Sequence, residues 1–101
     1  MAESPWIVDV TTEQFEEAIV RRSMEVPVVV DFWAPWCQPC RALAPVLEKV
    51  INECNGKVIL AKVNIDESQE IAGMLGVQSI PLVAVFAGGQ PIDSFKGLVP
   101  E

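Results

Sequence analysis

The chain has 101 residues, a hydrophobic content of 50%, and a formal net charge of −7 from seven Lys plus Arg against fourteen Asp plus Glu. Its length fits one domain, and its apolar content allows a core without metal or disulfide staples. The negative charge disfavours binding to nucleic acid or to an anionic membrane surface, and the absence of histidine excludes imidazole catalysis, Ser-His and Cys-His nucleophile pairs, and most zinc sites.

The sequence shows no segment of the kind that directs a chain to or across a membrane. Residues 1–10 have neither a basic cluster nor a long apolar run, so they do not resemble a secretory signal. The apolar stretch at residues 80–87 is too short to span a bilayer. Three cysteines are an odd number, which argues against a secreted disulfide framework. We therefore expect a cytoplasmic or otherwise reducing compartment.

Eight segments alternate between strand-like and helix-like patterns, in the order β-α-β-α-β-α-β-β. In chain order they cover residues 6–10, 11–22, 28–33, 37–54, 58–65, 68–75, 80–87 and 91–96. A capping box at Thr11 and Gln14, and a two-residue hairpin turn at Gly88 and Gly89, support these boundaries. The pattern predicts an α/β fold with a central mixed, mostly parallel sheet, helices on both faces and an antiparallel final hairpin.

Three helices cover the two faces of such a sheet unevenly. Residues 80–87 are apolar on both faces of their strand, so both faces need a cover. Two helices on one face leave a single helix on the other. We therefore expect that a C-terminal helix is missing, and that residues 1–101 form one domain from the front part of a longer protein.

The motif with chemical meaning is Trp36-Cys37-Gln38-Pro39-Cys40, between a predicted strand and a predicted helix. Two cysteines three positions apart in the first turn of a helix can close a disulfide with little strain. The helix N-terminus favours the thiolate of Cys37, which is the species that attacks a disulfide. We predict that Cys37 is the attacking thiol and that Cys40, deeper in the domain, resolves the mixed disulfide.

An acid/base group near Cys40 would help that thiol to lose its proton. Asp31 is the candidate, because it lies between Val30 and Phe32 on the preceding central strand. Burial there would raise the pKa of its carboxyl group. On the sequence alone Asp31 could also lie on the surface, since Asp is seldom fully buried.

Other interpretations of the cysteines stay open at this stage. A CxxC pair can be half of a zinc site, although such a site needs four ligands and only Cys54 remains. The pair could also be buried and inert, as free cysteine frequently is. Cys54 keeps the helical spacing of the apolar residues, which favours a core position. We expect no metal and no cofactor.

The sequence resembles the thioredoxin family over essentially its whole length. The segments that carry the resemblance are residues 29–34, 36–40, 61–66 and 79–81 and the turn at Gly89. The resemblance implies a thioredoxin fold and a thiol-disulfide oxidoreductase that reduces or exchanges protein disulfides. It also implies disulfide-containing or thiol-containing client proteins as partners, and a reductase as electron donor.

The resemblance assigns catalytic roles to four residues. Cys37 and Cys40 match the redox pair of the family, Asp31 matches its buried carboxylate, and Lys62 matches the lysine beside that carboxylate. Lys62 could instead be an ordinary strand residue whose amino group reaches water.

The resemblance also implies a substrate-binding set of Trp36, Pro39, Ile80, Pro81 and Gly97. Pro81 matches a cis-proline that faces the disulfide, and a cis peptide there would expose the Ile80 backbone for strand-like pairing with an extended substrate. Base rates alone favour a trans proline. Gly97 could simply end its strand, and Trp36 could only pack beside the site.

Some positions depart from the common family pattern. Gln38 precedes Pro39 where the common thioredoxin has glycine, and Leu82 stands where a threonine is usual. Gln38 lacks the positive charge of the histidine found there in strongly oxidising relatives, so we expect a reducing potential. Residues 89–97 resemble the thioredoxin domain of the bacterial YbbN type, also called CnoX, which precedes tetratricopeptide-like repeats. This implies an alternative function as a chaperone-linked module that holds client proteins.

Overall fold

The computed structural model describes residues 4–96. The strands are β1 (Ile7–Asp9), β2 (Val28–Trp33), β3 (Ile59–Asn64), β4 (Leu82–Ala87) and β5 (Gln90–Lys96). The regular helices are α1 (Gln38–Glu53) and α2 (Gln69–Met74). Residues 12–24 form an irregular helical segment between β1 and β2. The strands make one five-stranded sheet in the order β1-β3-β2-β4-β5. This confirms the predicted α/β class and places β2 and β3 inside the sheet, with β1 at an edge.

The segment 12–24 begins as predicted but is not a regular α-helix. Gln14 Oε1 accepts a hydrogen bond from the backbone N–H of Thr11 at 3.1 Å, as a capping box requires. The chain then passes through a π-helical stretch, Glu16–Arg21, with 3₁₀ turns before and after it. The β-branched side chains of Ile19 and Val20 lower the helix propensity of this stretch. Burial of Ile19 in the core holds the segment against the sheet.

The sheet is less parallel than the sequence predicts. β1 and β2 each run parallel to β3, whereas β4 is antiparallel to both β2 and β5. The predicted mixed sheet and the antiparallel final hairpin are confirmed, and among the strands of residues 4–96 the antiparallel pair β2–β4 is the one departure from the expectation of a mostly parallel sheet. The physical reason lies in the connection 65–81: α2, about 9 Å long, packs on the core face through Ile71, and the chain then returns to the end of the sheet where β3 stops. β4 therefore begins beside the end of β3 and runs in the opposite direction.

This topology brings three chain segments to one edge of the sheet. The parallel strands β2 and β3 both end there, and the antiparallel strand β4 begins there. The Cys37 loop follows β2, Asp66 follows β3, and Pro81 directly precedes β4. Residues that are distant in sequence therefore meet at one place, where a site can form.

The two faces of the sheet have different covers. One face carries the main core, in which Ile19 of the segment 12–24 and Ile71 of α2 pack on Val30 and Phe32 of β2. The other face carries α1, whose Glu48 contacts Lys62 of β3. Within residues 4–96 the predicted arrangement of two helical segments on one face and one helix on the other is thus confirmed.

Ser23 anchors the turn between β4 and β5. Gly88 and Gly89 have positive φ angles of 63° and 87°, as a tight hairpin turn requires. The backbone C=O of Ser23 accepts from Gly88 N–H, and its Oγ accepts from Gly89 N–H, both at 2.9 Å. Ser23 Oγ also donates to the C=O of Val20 at 2.7 Å. The helical segment and the hairpin are therefore held together by one buried side chain.

We expect Ser23→Ala to lower the free energy of unfolding by about 1–3 kcal/mol, because it leaves the Gly89 N–H without its partner in a partly buried position. Ser94→Ala is the matched control, since Ser94 is exposed on β5. Urea denaturation of the three proteins measures the effect. Equal stability of Ser23→Ala and Ser94→Ala would show that the anchor is unimportant.

Candidate active site

Cys37 and Cys40 form a disulfide at the start of α1, with their Cα atoms 5.3 Å apart. Cys37 is the N-cap of this helix, and Cys40 lies in its first turn. The Sγ atom of Cys37 accepts the backbone N–H of Cys40 at 3.2 Å. Pro39 sits in the first turn, where its lack of an N–H costs nothing. The predicted geometry, with Cys37 at the helix N-terminus and Cys40 one turn further in, is confirmed.

The disulfide lies in an apolar cluster at the edge where β2 and β3 end. Ala34 is buried with the two cysteines, and Trp33, Ile65 and Ile80 pack around them. Cys37 is 5% exposed and Cys40 is 1% exposed. The prediction that Cys40 lies deeper than Cys37 is therefore confirmed, and the Cys37 side chain is itself nearly covered.

Pro81 follows a cis peptide bond, as the family resemblance implies. The residue is buried at the start of β4. Ile80 is only partly buried and contacts the disulfide cluster. Neither the N–H nor the C=O of Ile80 has a backbone hydrogen-bond partner among residues 4–96. Within the described part of the chain, the Ile80 backbone therefore has one unpaired donor and one unpaired acceptor beside the disulfide.

Asp31 is fully within the sheet, on the face that α1 covers. It is 1% exposed, and neither carboxyl oxygen has a hydrogen-bond partner in the described part of the chain. Burial raises the pKa of Asp31 from its ordinary value of 3.8 to about 6, while Lys62 lowers this pKa and Glu48 raises it. The prediction of a buried carboxyl group is confirmed, and the alternative of a surface strand residue is wrong.

Lys62 lies directly across from Asp31 in the register of β2 and β3. Its Nζ atom is 2.9 Å from Oε2 of Glu48 on α1 and 5.6 Å from the ring centroid of Trp33. The lysine therefore neighbours the buried carboxyl group, as predicted, but forms its ion pair with Glu48. Sequence reasoning missed Glu48, because a single acidic residue on a helix resembles ordinary solvated surface.

Trp36 projects beside the disulfide and is 67% exposed. Its indole Nε1 donates to both carboxylate oxygens of Asp66, at 3.2 and 3.1 Å. Pro39 is also exposed, so both residues offer surface next to the cysteines. Sequence reasoning missed Asp66, although the parallel strands β2 and β3 place both of their following loops at one edge. Gly97, the remaining predicted substrate-binding residue, lies outside the described residues.

Two further observations concern metals and membranes. Across residues 4–96, no three His, Cys, Asp or Glu side chains are grouped to hold a metal ion. In the same part of the chain, no helix has the length and apolar character to cross a bilayer.

The family model described as Thioredoxin matches residues 6–101. The chain belongs to the thioredoxin family. It is 44% identical over 92 residues to Thioredoxin 1 of Nostoc sp., covering 91% of this chain and 84% of that protein. It is 42% identical over 101 residues to thioredoxin of Synechocystis sp., covering 100% of this chain and 90% of that protein.

A chloroplastic relative has a similar level of identity. The M-type thioredoxin of Chlamydomonas reinhardtii is 42% identical over 92 residues, which cover 91% of this chain and 64% of that protein. Together with the bonded pair Cys37 and Cys40, these relatives identify the chain as a thiol-disulfide oxidoreductase. They favour this function over a chaperone-linked module, so the resemblance to the YbbN type stays an untested prediction.

Proposed function

We propose that this thioredoxin reduces protein disulfides by a two-step exchange in which Cys37 attacks and Cys40 resolves. The observation that carries the proposal is the position of Cys37 Sγ at the N-terminus of α1, where it accepts the N–H of Cys40. In the reduced protein the same N–H and the positive end of the helix dipole would stabilise a thiolate on this sulfur.

The exchange conserves atoms and electrons. The thiolate of Cys37 attacks one sulfur of the target disulfide, forms a mixed disulfide, and releases the other target sulfur as a thiolate that takes up a proton. Cys40 then loses its proton and attacks Cys37 Sγ. This step closes the bond between Cys37 and Cys40 and releases the second target thiolate. Two electrons have passed to the target, and the domain is left oxidised.

Asp31 is the proposed proton acceptor for Cys40. A general base works best when its pKa lies near the working pH, and burial places the pKa of Asp31 at about 6. At neutral pH the carboxyl group is then mostly ionised and can accept a proton. Lys62 is proposed to act through Asp31, because it lies opposite this residue on β3.

The proposed substrate surface surrounds the disulfide. The backbone of Ile80, free of partners within residues 4–96, can pair with an extended target segment as an added strand would. Pro81 follows Ile80 directly before β4 and is proposed to belong to this surface, and the exposed rings of Trp36 and Pro39 offer apolar contact beside the cysteines. Gly97 is proposed to belong to the same groove on family resemblance.

The cycle needs an electron donor that reduces the oxidised pair again. Thioredoxins act on protein thiols and disulfides and are reduced by a reductase, so we propose such a donor for this chain. We also propose a reducing compartment, the cytoplasm, because an oxidising one would keep the pair as a disulfide.

A turnover assay tests the proposal. The protein is mixed with a disulfide-linked protein substrate and dithiothreitol as reductant, and the loss of the substrate disulfide is followed with time. We expect catalysed reduction well above the rate with dithiothreitol alone. Rates equal to that background, from folded protein whose pair is shown to be reduced, would contradict the proposed function.

A further inference from the structure

Lys62 lies between two carboxyl groups but bonds to only one of them. Residues in register on neighbouring strands point to the same face of a sheet, so Lys62 and Asp31 both face α1. The Nζ atom of Lys62 is nevertheless 2.9 Å from Glu48 Oε2. The oxygens of Asp31 have no hydrogen-bond partner among residues 4–96. The ammonium group of Lys62 is thus paired with Glu48, although Asp31 is the cross-strand neighbour of Lys62.

The surroundings of Lys62 restrict where its amino group can lie. Trp33, on the same face of β2, presents its ring 5.6 Å from Nζ, a distance at which a cation is attracted to an aromatic face. The side chains of Lys62 and Glu48 are 20% and 36% exposed. Water therefore screens this pair less than a pair on the open surface. Glu48 and Trp33 are therefore the two groups that the structure places around the ammonium group of Lys62.

We propose that Glu48 is a positioning residue, which holds Lys62 beside Trp33 and thereby leaves Asp31 without a cationic partner and able to carry a proton. The inference rests on the proposed role of Asp31 in the exchange and adds the residue that keeps it available. Among residues 4–96, the charged groups that act on Asp31 are Lys62 from β3 and Glu48 from α1, while β4 places the apolar Val83 opposite it.

The charges of Lys62 and Glu48 act on the pKa of Asp31 in the directions that this arrangement implies. Lys62 lowers the pKa of Asp31 and Glu48 raises it, on top of the larger effect of burial. Loss of the Glu48 charge would remove one contribution that raises this pKa. It would also free Lys62 to approach the Asp31 carboxylate, which favours ionisation further.

Carbon-13 NMR of the Asp31 carboxyl carbon tests the proposal directly. The oxidised protein is titrated between pH 4 and pH 9 in the wild type, in Glu48→Gln and in Glu53→Gln. The last variant is the matched control, because Glu53 is exposed at the end of the same helix. We expect Glu48→Gln to lower the titration midpoint of Asp31 by about 0.5 pH unit or more, and Glu53→Gln to leave it in place.

A double-mutant cycle shows whether Glu48 acts through Lys62. We expect Lys62→Met to raise the midpoint of Asp31, and Glu48→Gln to shift it less in the Lys62→Met background than in the wild type. Equal shifts in both backgrounds, or no shift at all in Glu48→Gln, would overturn the proposal. A lowered midpoint with an unchanged pH profile of turnover would support the placement of Lys62 and contradict the proton-transfer role of Asp31 instead.

Discussion

Cys37→Ser is expected to reduce the rate of protein-disulfide reduction by on the order of a thousandfold or more, the scale of loss that follows removal of a catalytic nucleophile. A serine hydroxyl at the N-cap of α1 keeps the helix capped but is not ionised at neutral pH and cannot form the mixed disulfide. The same turnover assay measures this loss. Circular dichroism of the variant serves to check that it is still folded.

Cys54→Ser is the matched control for this experiment. Cys54 is the remaining free cysteine, at the C-cap of α1 and only partly buried. It lies at the opposite end of the helix from the disulfide, so its loss should leave the rate unchanged. Substantial activity in Cys37→Ser, or a comparable loss in Cys54→Ser, would contradict the assignment of Cys37 as the attacking thiol.

Asp31→Asn is expected to be stabilising at high pH. Because burial raises the pKa of Asp31 from 3.8 to about 6, the native state binds more protons than the unfolded state between these values. The free energy of unfolding of the wild type should then fall as the pH rises through this window. At 1.36 kcal/mol per unit, the rise in pKa corresponds to about 3 kcal/mol.

The amide of the variant does not ionise, so this pH dependence should disappear. Urea denaturation of both proteins at pH 4 and at pH 8 measures it. The stability of Asp31→Asn relative to the wild type should increase by about 2.5 kcal/mol between the two pH values, because the unfolded carboxyl group is already partly ionised at pH 4. A difference that does not change with pH would show that the carboxyl group is not buried in its ionised form.

The same substitution should slow the exchange. With no carboxylate to accept the proton of Cys40, release of the target from the mixed disulfide should slow by about 10²–10⁴-fold, the usual contribution of a general base. Single-turnover measurements of product release at pH 7 test this. If the variant is more stable at pH 8 but releases its product at the wild-type rate, then Asp31 is buried as described but does not accept the proton of Cys40.

Much of the fold could be predicted because local signals in the sequence agree with the structure. The β-branched run that forms β2, the capping box at Thr11 and the hairpin turn at Gly88 each depend on nearby residues. The position of Cys37 at the start of α1 also depends on nearby residues. The cis bond before Pro81 was predictable from the family resemblance alone, since no local signal favours it.

The remaining features depend on contacts between distant residues. The antiparallel direction of β4 depends on the end of the sheet to which the connection 65–81 returns, and no local pattern in the sequence distinguishes that return from a crossover. The pairing of Lys62 with Glu48 and of Trp36 with Asp66 requires the distance between elements to be known. Single charged residues carry no periodic signal that would indicate such partners.

In the proposed exchange, Cys37 Sγ attacks the target disulfide and Cys40 resolves the mixed disulfide. The most direct measurement uses Cys40→Ser, which can form the mixed disulfide but cannot release it. The reduced variant is incubated with a disulfide-linked protein, thiols are blocked, and the linked peptides are identified by mass spectrometry. We expect a stable adduct joined through Cys37 in Cys40→Ser, and no such adduct in Cys37→Ser. An adduct joined through Cys54, or no adduct at all from folded Cys40→Ser, would contradict it.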